Sequence, residues 1–473
     1  MGILSPPNRY LILAVVLAGV FMAVLDGVVV SIALPTITAR FGVDLDTTQW
    51  VITAYLLTMT VLLLPAGRLS EFIGRTPLFV SGLVLFTLAS GACGIAPSLP
   101  VLVAARMVQA TGGAMVFSLS NALIFDAFPF SERARALGYL GSTVAIASIA
   151  APVLGGLLVE TCGWESIFFV NLPIGIVVTA AALRILPRGH IRPDRPSFDL
   201  PGAITLGIAL SGLMLCLGHL ADSVAIDLAS LLYALVAVAG TVTFVHVELH
   251  QADPLIDLAL LHEPLYMLPV LAMLLFFVAS FMLNLVGPFY FELVMGLSPG
   301  TVGLVFMVLP GVMAVTAPIS GWLYDRSHYP YLAALGMAIV AGGYIMAGIA
   351  AIDGLLLPIL GAFAVMGFGS AIFQAPNNTD QMNSVPARRL GIASAVTAAG
   401  RNLGMSLGVS IGSILLNTLL LAGGHVGPVL EADPTLVGEA IGVVFFVGAG
   451  LVTLSALLSA LRGWRVAAAP AHR

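Results

Sequence analysis

The sequence predicts an all-α membrane protein of about fourteen transmembrane helices, two six-helix bundles with two helices inserted between them. Three observations carry that expectation. Hydrophobic residues make up 59% of the 473-residue chain and charged ones only 9%, against about 25% charged in an ordinary soluble domain. Apolar runs of about 20 residues, enough to cross a bilayer as a helix, recur along the chain without the alternation of a barrel strand. The polar loops also repeat: Gly67-Arg68-Leu69-Ser70-Glu71-Phe72 follows the second run and Gly321-Trp322-Leu323-Tyr324-Asp325-Arg326 the tenth. Each has a glycine, a leucine two residues later and an acid four later, as an internal repeat requires.

In order, spans are expected near residues 11–34, 49–65, 77–96, 99–125, 136–158 and 167–186, forming a first bundle within residues 1–187. The first run is too long for a signal peptide and has no cleavage site before the next span, so it counts as a helix. A basic, proline-broken linker from Pro187 to Leu200 leads to spans near 200–219 and 226–247, so residues 188–250 form the insertion. Spans near 266–291, 301–320, 331–352, 355–375, 390–421 and 439–461 complete a second bundle and tail over 251–473.

All 18 basic residues are arginine. The absence of lysine excludes a Walker A phosphate loop and a lysine Schiff base. With the N-terminus inside, Arg9, Arg68, Arg75, Arg133, Arg135, Arg184, Arg188, Arg326, Arg388, Arg462 and their neighbours fall on inner loops, and only Arg40 falls outside. That asymmetry places both termini in the cytoplasm of a multi-pass protein of the cell membrane. Cys93, Cys162 and Cys216 lie on separate segments without metal spacing and read as apolar packing residues. The spans hold no clustered nucleophile and base, so the chain does not read as an enzyme. No metal, cofactor or nucleic-acid partner is expected.

The residue that most needs explaining is Asp26, inside the first run. A carboxylate near the centre of a membrane helix costs roughly 2.5–3.5 kcal/mol on insertion scales, so it is seldom left without a partner or a use. Asp26 lies eight residues before Leu34 on an outward-running helix, and Arg106 seven after Leu99 on an inward-running one. Both should sit roughly 10–12 Å below the outer helix ends. Pairing is therefore expected, either as a static salt bridge or as a pair that loosens when Asp26 takes a proton. Gln109, one turn from Arg106, could share the network.

Several stretches resemble the major facilitator superfamily and, within it, the fourteen-helix drug:proton antiporter family. Leu25-Asp26 with Ala33-Leu34-Pro35 resembles the first-helix motif, and Gln49-Trp50-Val51 with Tyr55-Leu56-Leu57 the second helix. Gly67, Leu69, Glu71, Gly74 and Arg75 match the loop signature, with glutamate where aspartate is usual. Leu102, Arg106, Gln109, Gly112 and Ala114 match the fourth-helix motif, and Trp164, Ile167, Phe168, Asn171, Leu172 and Pro173 the opening of the sixth helix. Gly138, Ala147, Ala151, Pro152, Gly155 and Gly156 are spaced as the antiporter motif, with alanine at two glycine sites. Val28 and Ser31 depart from the first-helix motif.

The resemblance implies a proton-coupled antiporter that exports hydrophobic, often cationic, small molecules by alternating access as a monomer. Its proton-coupling residues would be Asp26 and Arg106; Glu292, which ends the ninth span near the outer side, reads either as a solvated loop acid or as a cavity-facing second titrating group. By residue type and position, Phe21, Met22, Trp50, Gln109, Phe117, Asn284, Tyr290, Arg401 and Asn402 are candidates for its cavity, with lipid contact, core packing or interhelical hydrogen bonds as the alternatives. Gly67, Glu71, Gly74, Arg75, Asp325 and Arg326 would form a cytoplasmic gate. The alternatives are a proton-coupled exporter or importer of one specific metabolite and a non-transporting membrane sensor.

Overall fold

The computed structural model describes residues 6–187, 199–223, 226–251, 258–327, 329–385 and 390–468. Fourteen of its helices are long and apolar enough to cross a membrane. In chain order they are α1 (Pro6–Phe41), α2 (Trp50–Ile73), α3 (Arg75–Gly94), α4 (Leu99–Ala127), α5 (Phe130–Cys162), α6 (Asn171–Ile185), α7 (Leu200–Ser223) and α8 (Leu228–His250). They continue as α9 (Pro264–Phe289), α10 (Pro299–Ser327), α11 (Leu332–Ile352), α12 (Leu356–Asn383), α13 (Leu390–Ala422) and α14 (Pro434–Ala468). An even number of spans brings the two ends of the chain to one side, here the terminal end; the opposite side is the distal end.

Helix packing repeats between the first six spans and the last six. The contacts α1–α5, α2–α4, α3–α4, α3–α6 and α1–α6 recur as α9–α13, α10–α12, α11–α12, α11–α14 and α9–α14. The closest seams repeat too. A Cβ built on Gly112 of α4 would lie 2.6 Å from the Gly82 carbonyl oxygen of α3, and one on Gly369 of α12 would lie 2.7 Å from the Gly336 carbonyl oxygen of α11. With no hydrophobic drive between helices in lipid, such small residues let backbones approach and gain dispersion energy.

The sets meet along α5–α10 on one side and α2–α13 on the other, with α1 touching α9 and α10 between them. α7 lies over the second seam, packing on both α2 and α13, while α8 packs on α7 through mutually fitted Gly212 and Gly240. α8 carries exposed Leu231, Leu235, Val238, Val242 and Leu249, a lipid-facing surface. By contrast, α1 from Val15 to Thr38, α2 from Trp50 to Ser70 and α13 from Val396 to Asn417 present no exposed residue. These are the interior helices.

α1 departs from its expected boundary by running through Pro35 to Phe41. Proline removes one backbone donor without ending the helix, because packing on both sides holds it. Asp26 therefore lies near the middle of its span and not in the outer half, while α1 projects beyond α4 at the distal end. The linker 188–198 lies outside the described residues.

Two predictions follow from these contacts. Gly112→Val should destabilise the detergent-purified protein by about 1–3 kcal/mol, read as a lower thermal midpoint, while Gly311→Ala, where a Cβ meets nothing within 4 Å, should leave it unchanged or raise it. At the start of α8, Asp227 and Ser230 form a reciprocal capping box, and the Asp227 carboxylate also meets His219 Nε2 at 3.0 Å. The Ser230 backbone N–H, then the His219 hydrogen bond, lower the Asp227 carboxyl to about 2. A lowered carboxyl stabilises above its unfolded value and loses that contribution as pH falls toward about 2. The midpoint difference between wild type and Asp227→Ala should thus be full at neutral pH and shrink only in strong acid.

Candidate functional site

Asp26 is at the centre of a sealed polar cluster built by five helices. It is 0% exposed and Arg106 1%. Arg106 Nη1 donates to Asp26 Oδ2 at 2.5 Å, while Gln109 Nε2 and Asn171 Nδ2 donate to Oδ1 at 2.9 and 2.8 Å. The carboxylate therefore accepts three hydrogen bonds, one of them charged. Arg106 is held in turn: its Nη1 also donates to Gln109 Oε1 at 2.6 Å, its Nε donates to the Val51 carbonyl at 3.2 Å, and its guanidinium lies 4.0 Å from the Tyr55 ring centroid. Asn171 is fixed by a second bond to Ser90 Oγ at 3.0 Å, and Ser90 donates to the Phe168 carbonyl at 2.9 Å.

Local sequence explains how these groups converge. Arg106 and Gln109 are three apart on α4, so they share a face. Asn171 opens α6 directly after the short turn Ser166–Phe169, which points its amide back toward α1. Gly113 and Gly112 thin the α4 surface beside them and admit Tyr55 and Phe86. In a medium without water, the guanidinium and two amides replace the hydration that the carboxylate loses.

The expected pairing of Asp26 with Arg106 and Gln109 is therefore brought together. Asn171 and Ser90 were missed as partners; the one available signal was an amide in a span opposite an acid. Other expected site residues are placed differently. Met22, Gln109, Tyr290 and Asn402 are buried in helix packing and do not line an open surface; Tyr290 donates to the Ala351 carbonyl at 3.0 Å. Phe21 is half-exposed and, with Leu17, Val24 and Val28, forms a stripe of helical spacing on the otherwise covered α1. Leu274, Phe277, Phe281 and Asn284 form a corresponding half-exposed stripe on α9, and Phe117 and Arg401 are half-exposed as well. Since α1 presents no exposed residue over this stretch and touches α9 and α10, its stripe borders the space between the two halves, while the α9 stripe lies beside the glycine face of α13. Trp50 packs its indole on Gly218 of α7, so its polar ring bridges to the inserted pair.

Glu292 lies in a π-helical turn, Tyr290–Val294, with Oε1 buried and unpartnered among the described residues. Such turns recur at functional sites. At the terminal end, Gly74 joins α2 to α3 at φ +99°, a conformation that needs glycine. Arg75 pairs with Asp126 at 2.5 Å, an acid not foreseen as its partner. Arg326 stacks on Trp322 of its own helix. Gly67 faces Ser118, and the side chains of Glu71 and Asp325 lie outside the described residues. The counterpart in the second half, also unforeseen, is Asp380, which accepts from Arg462 at 2.5 Å and from the Tyr324 hydroxyl.

The Gly-Pro segment of α5 joins the halves at the distal end. Gly155 fits against Val29 of α1, Gly156 against the backbone of Pro299 and Gly300, and the Pro152 carbonyl against Gly303 of α10. Ala147 and Ala151 are fully buried, and the side-chain surroundings of Gly138 lie outside the described residues. Glu160 Oε2 then accepts from Gly300 N at 2.9 Å and Ser298 Oγ at 3.1 Å, so a carboxylate meets the start of α10.

Comparison with known proteins agrees with this architecture. The sequence pattern of the Major Facilitator Superfamily matches residues 16–409. The chain is 34% identical over 401 residues to the multidrug resistance protein Stp of Mycobacterium tuberculosis (strain CDC 1551 / Oshkosh), covering 84% of this chain and 74% of that protein. It is 28% identical over 404 residues to the riboflavin transporter RibZ of Clostridioides difficile (strain 630), covering 85% and 87%. A solved bacterial homologue of the human lysosomal transporter Spinster, in an inward-facing and occupied conformation, superposes with TM-score 0.71 at 16% identity over 97% of both chains; that likeness concerns the fold alone.

The cluster makes a stability prediction. Arg106→Gln strands a buried carboxylate and should cost about 3–5 kcal/mol, whereas combining it with Asp26→Asn removes both charges and should cost much less than the sum of the two single changes, Asp26→Asn and Arg106→Gln. Thermal midpoints of the four purified proteins read this directly, and additive losses would show that the two groups are not energetically coupled.

Proposed function

The chain belongs to the Major Facilitator Superfamily, and from that premise we propose that it is a proton-coupled antiporter exporting hydrophobic small molecules by alternating access. It is a multi-pass membrane transporter and not an enzyme. The observation that carries the proposal is the Asp26 carboxylate, held mid-span by Arg106, Gln109 and Asn171. A proton there neutralises the acid, turns one acceptor oxygen into a donor and breaks the ion pair with Arg106. Three helices that meet at one carboxylate then lose a common anchor. Its burial blocks proton leak while the distal end is closed by α5 and α10.

In this reading Asp26 takes its proton from the outside when the distal seam opens, and releases it inside after the halves rock back. Arg75–Asp126 and Asp380–Arg462 hold helix ends together within each half at the terminal end, so that each half moves as a body. Glu292 is a second proton site, supported by its unpartnered buried oxygen. The apolar stripes of α1 and α9 receive the substrate. The cationic preference expected at the outset finds no support in Asp26, which is sealed and already neutralised by Arg106. The arginine distribution supports cytoplasmic termini in the cell membrane, and the two-seam packing supports a working monomer. The export direction draws on the Gly-Pro segment of α5 and on a relative named for multidrug resistance. A specific-metabolite transporter is the second reading, favoured by the relative named as a riboflavin transporter.

Inverted membrane vesicles test the proposal. An imposed inward-acidic gradient should drive uptake of hydrophobic dyes by the wild type, with matching proton efflux. Asp26→Asn should reduce gradient-driven uptake by at least about tenfold while leaving substrate counterflow measurable. Wild-type coupling in Asp26→Asn would reject Asp26 as the coupling acid. Transport confined to one metabolite among a chemically varied set would select the second reading.

A further inference from the structure

Apart from Asp26 and its partner, the charge buried deepest within an interior helix is Arg401, eleven residues into α13. That places it about 16 Å along the helix at 1.5 Å per residue. Arg106, Arg75 and Arg462 each have a carboxylate. Arg401 has no ion pair and no hydrogen bond among the described residues. A guanidinium without a counter-charge at such depth is costly, and where it persists it marks a pathway or a ligand site.

The surroundings of Arg401 decide where that charge points. Its neighbours Gly400 and Gly404 abut Val270 and Leu274 of α9. Ser406 and Asn417 reach Met214 and Ala221 of α7, which covers the outer side of α13. From Val396 to Asn417, α13 shows no exposed residue, yet Arg401 is half-exposed. Its accessible surface therefore opens inward, onto the space bordered by the apolar stripes of α1 and α9. Snorkelling to lipid headgroups would require a lipid-facing position on α13, and this stretch has none.

No described acid forms an ion pair with Arg401, and Glu292, whose Oε1 is unpartnered, stands 28 residues beyond Pro264 at the distal end of its span, while Arg401 is eleven residues from the terminal end of α13. Asp26 is sealed by Arg106, Asp380 is held by Arg462 and Tyr324, and Glu160 is bound to Gly300 and Ser298 at the distal end. At the depth of Arg401 the unpaired charge is therefore positive, and it is flanked by Leu274, Phe277 and Phe281. We infer that Arg401 binds the anionic group of the substrate, a carboxylate or similar compact oxyanion carried on an apolar aromatic body. The planar guanidinium offers paired donors to such a group, and the half-exposed phenylalanines accept the body.

This inference rests on the transporter reading for its substrate, but its test can separate the two. The full-length protein in lipid nanodiscs is titrated with three probes of one body, 1-pyrenebutyrate, 1-pyrenebutanol and 4-(1-pyrenyl)butyltrimethylammonium, with empty nanodiscs subtracted; flux of the same probes is followed in proteoliposomes. The wild type should bind the anion about tenfold or more tighter than the alcohol, as a charge-assisted contact implies, with the cation weakest. Arg401→Gln should erase the preference and Arg401→Lys should keep part of it. Absence of anion preference in the wild type overturns the inference without any variant, as does a preference that survives Arg401→Gln. Proton-driven flux of all three probes alike would leave the exporter reading standing and this inference refuted. Arg401-dependent anion binding with no flux would do the reverse.

Discussion

One carboxylate that cannot be hydrated constrains the first half of this protein. Placing Asp26 in mid-span obliges the chain to supply a cation and further donors at the same depth from other helices. It does so with Arg106 and Gln109 from α4 and Asn171 from α6, with Ser90 of α3 behind them. Four spans are thereby tied to one point, and their mutual register follows. Glycine seams such as Gly82–Gly112 bring α3 and α4 close enough for that convergence, because side chains at those positions would hold the backbones apart. The polar cluster and the small-residue seams are one design constraint: neither is satisfied without the other.

Much of this was legible in the sequence. Hydrophobic length alone placed fourteen spans, because the bilayer forces each backbone to satisfy its own hydrogen bonds within a helix. The depth of Asp26 and Arg106 suggested their pairing. What could not be read was which other polar groups reach the pair. Asn171 stands after a sharp turn between two helices, and a linear pattern does not give the angle of that turn. The assumed end of α1 at Leu34 failed for a related reason: Pro35 breaks an isolated helix, but tertiary packing carries it on to Phe41. Met22, Tyr290 and Asn402 were assigned to an open face by residue type, although facing is set by neighbouring helices. Asp126 and Asp380 escaped notice because an acid at a helix end ordinarily reads as solvated.

The repeat of helix contacts shows that α7 and α8 are added to a symmetric scheme without replacing any of its seams. Each seam between the halves pairs a fifth-position helix with a second-position helix, α5 with α10 and α13 with α2. The α5–α10 seam is nearly bare backbone on backbone, through Gly156, Pro152 and Gly303. The α2–α13 seam is instead lined on its outside by α7, through Trp50 on Gly218 and Asn417 on the Ala221 carbonyl. A rocking motion would slide the first seam against itself but must carry α7 along with the second. The inserted pair is thus packed so that it would move with the second seam, while its capped α8 presents an apolar outer face.

The two mid-membrane arginines illustrate how identical chemistry separates into different roles. Arg106 spends its charge on Asp26 and is closed off by Tyr55 and Phe168; nothing approaching from the inner space reaches it. Arg401 retains its charge and faces that space. Asp26 and the open cation lie on different halves, so if Asp26 takes a proton neither competes directly with the other for ligand. Coupling must then pass through helix packing, from α1 across to α9 and from α9 to the glycine face of α13, where Gly404 and Gly408 rest on the backbone of Leu274 and Val278. Close backbone contacts of this kind transmit displacement because they leave no side chain free to absorb it. A proton arriving at Asp26 would thus be felt at Arg401 as a shift of α9, with the substrate's apolar body lying between the two.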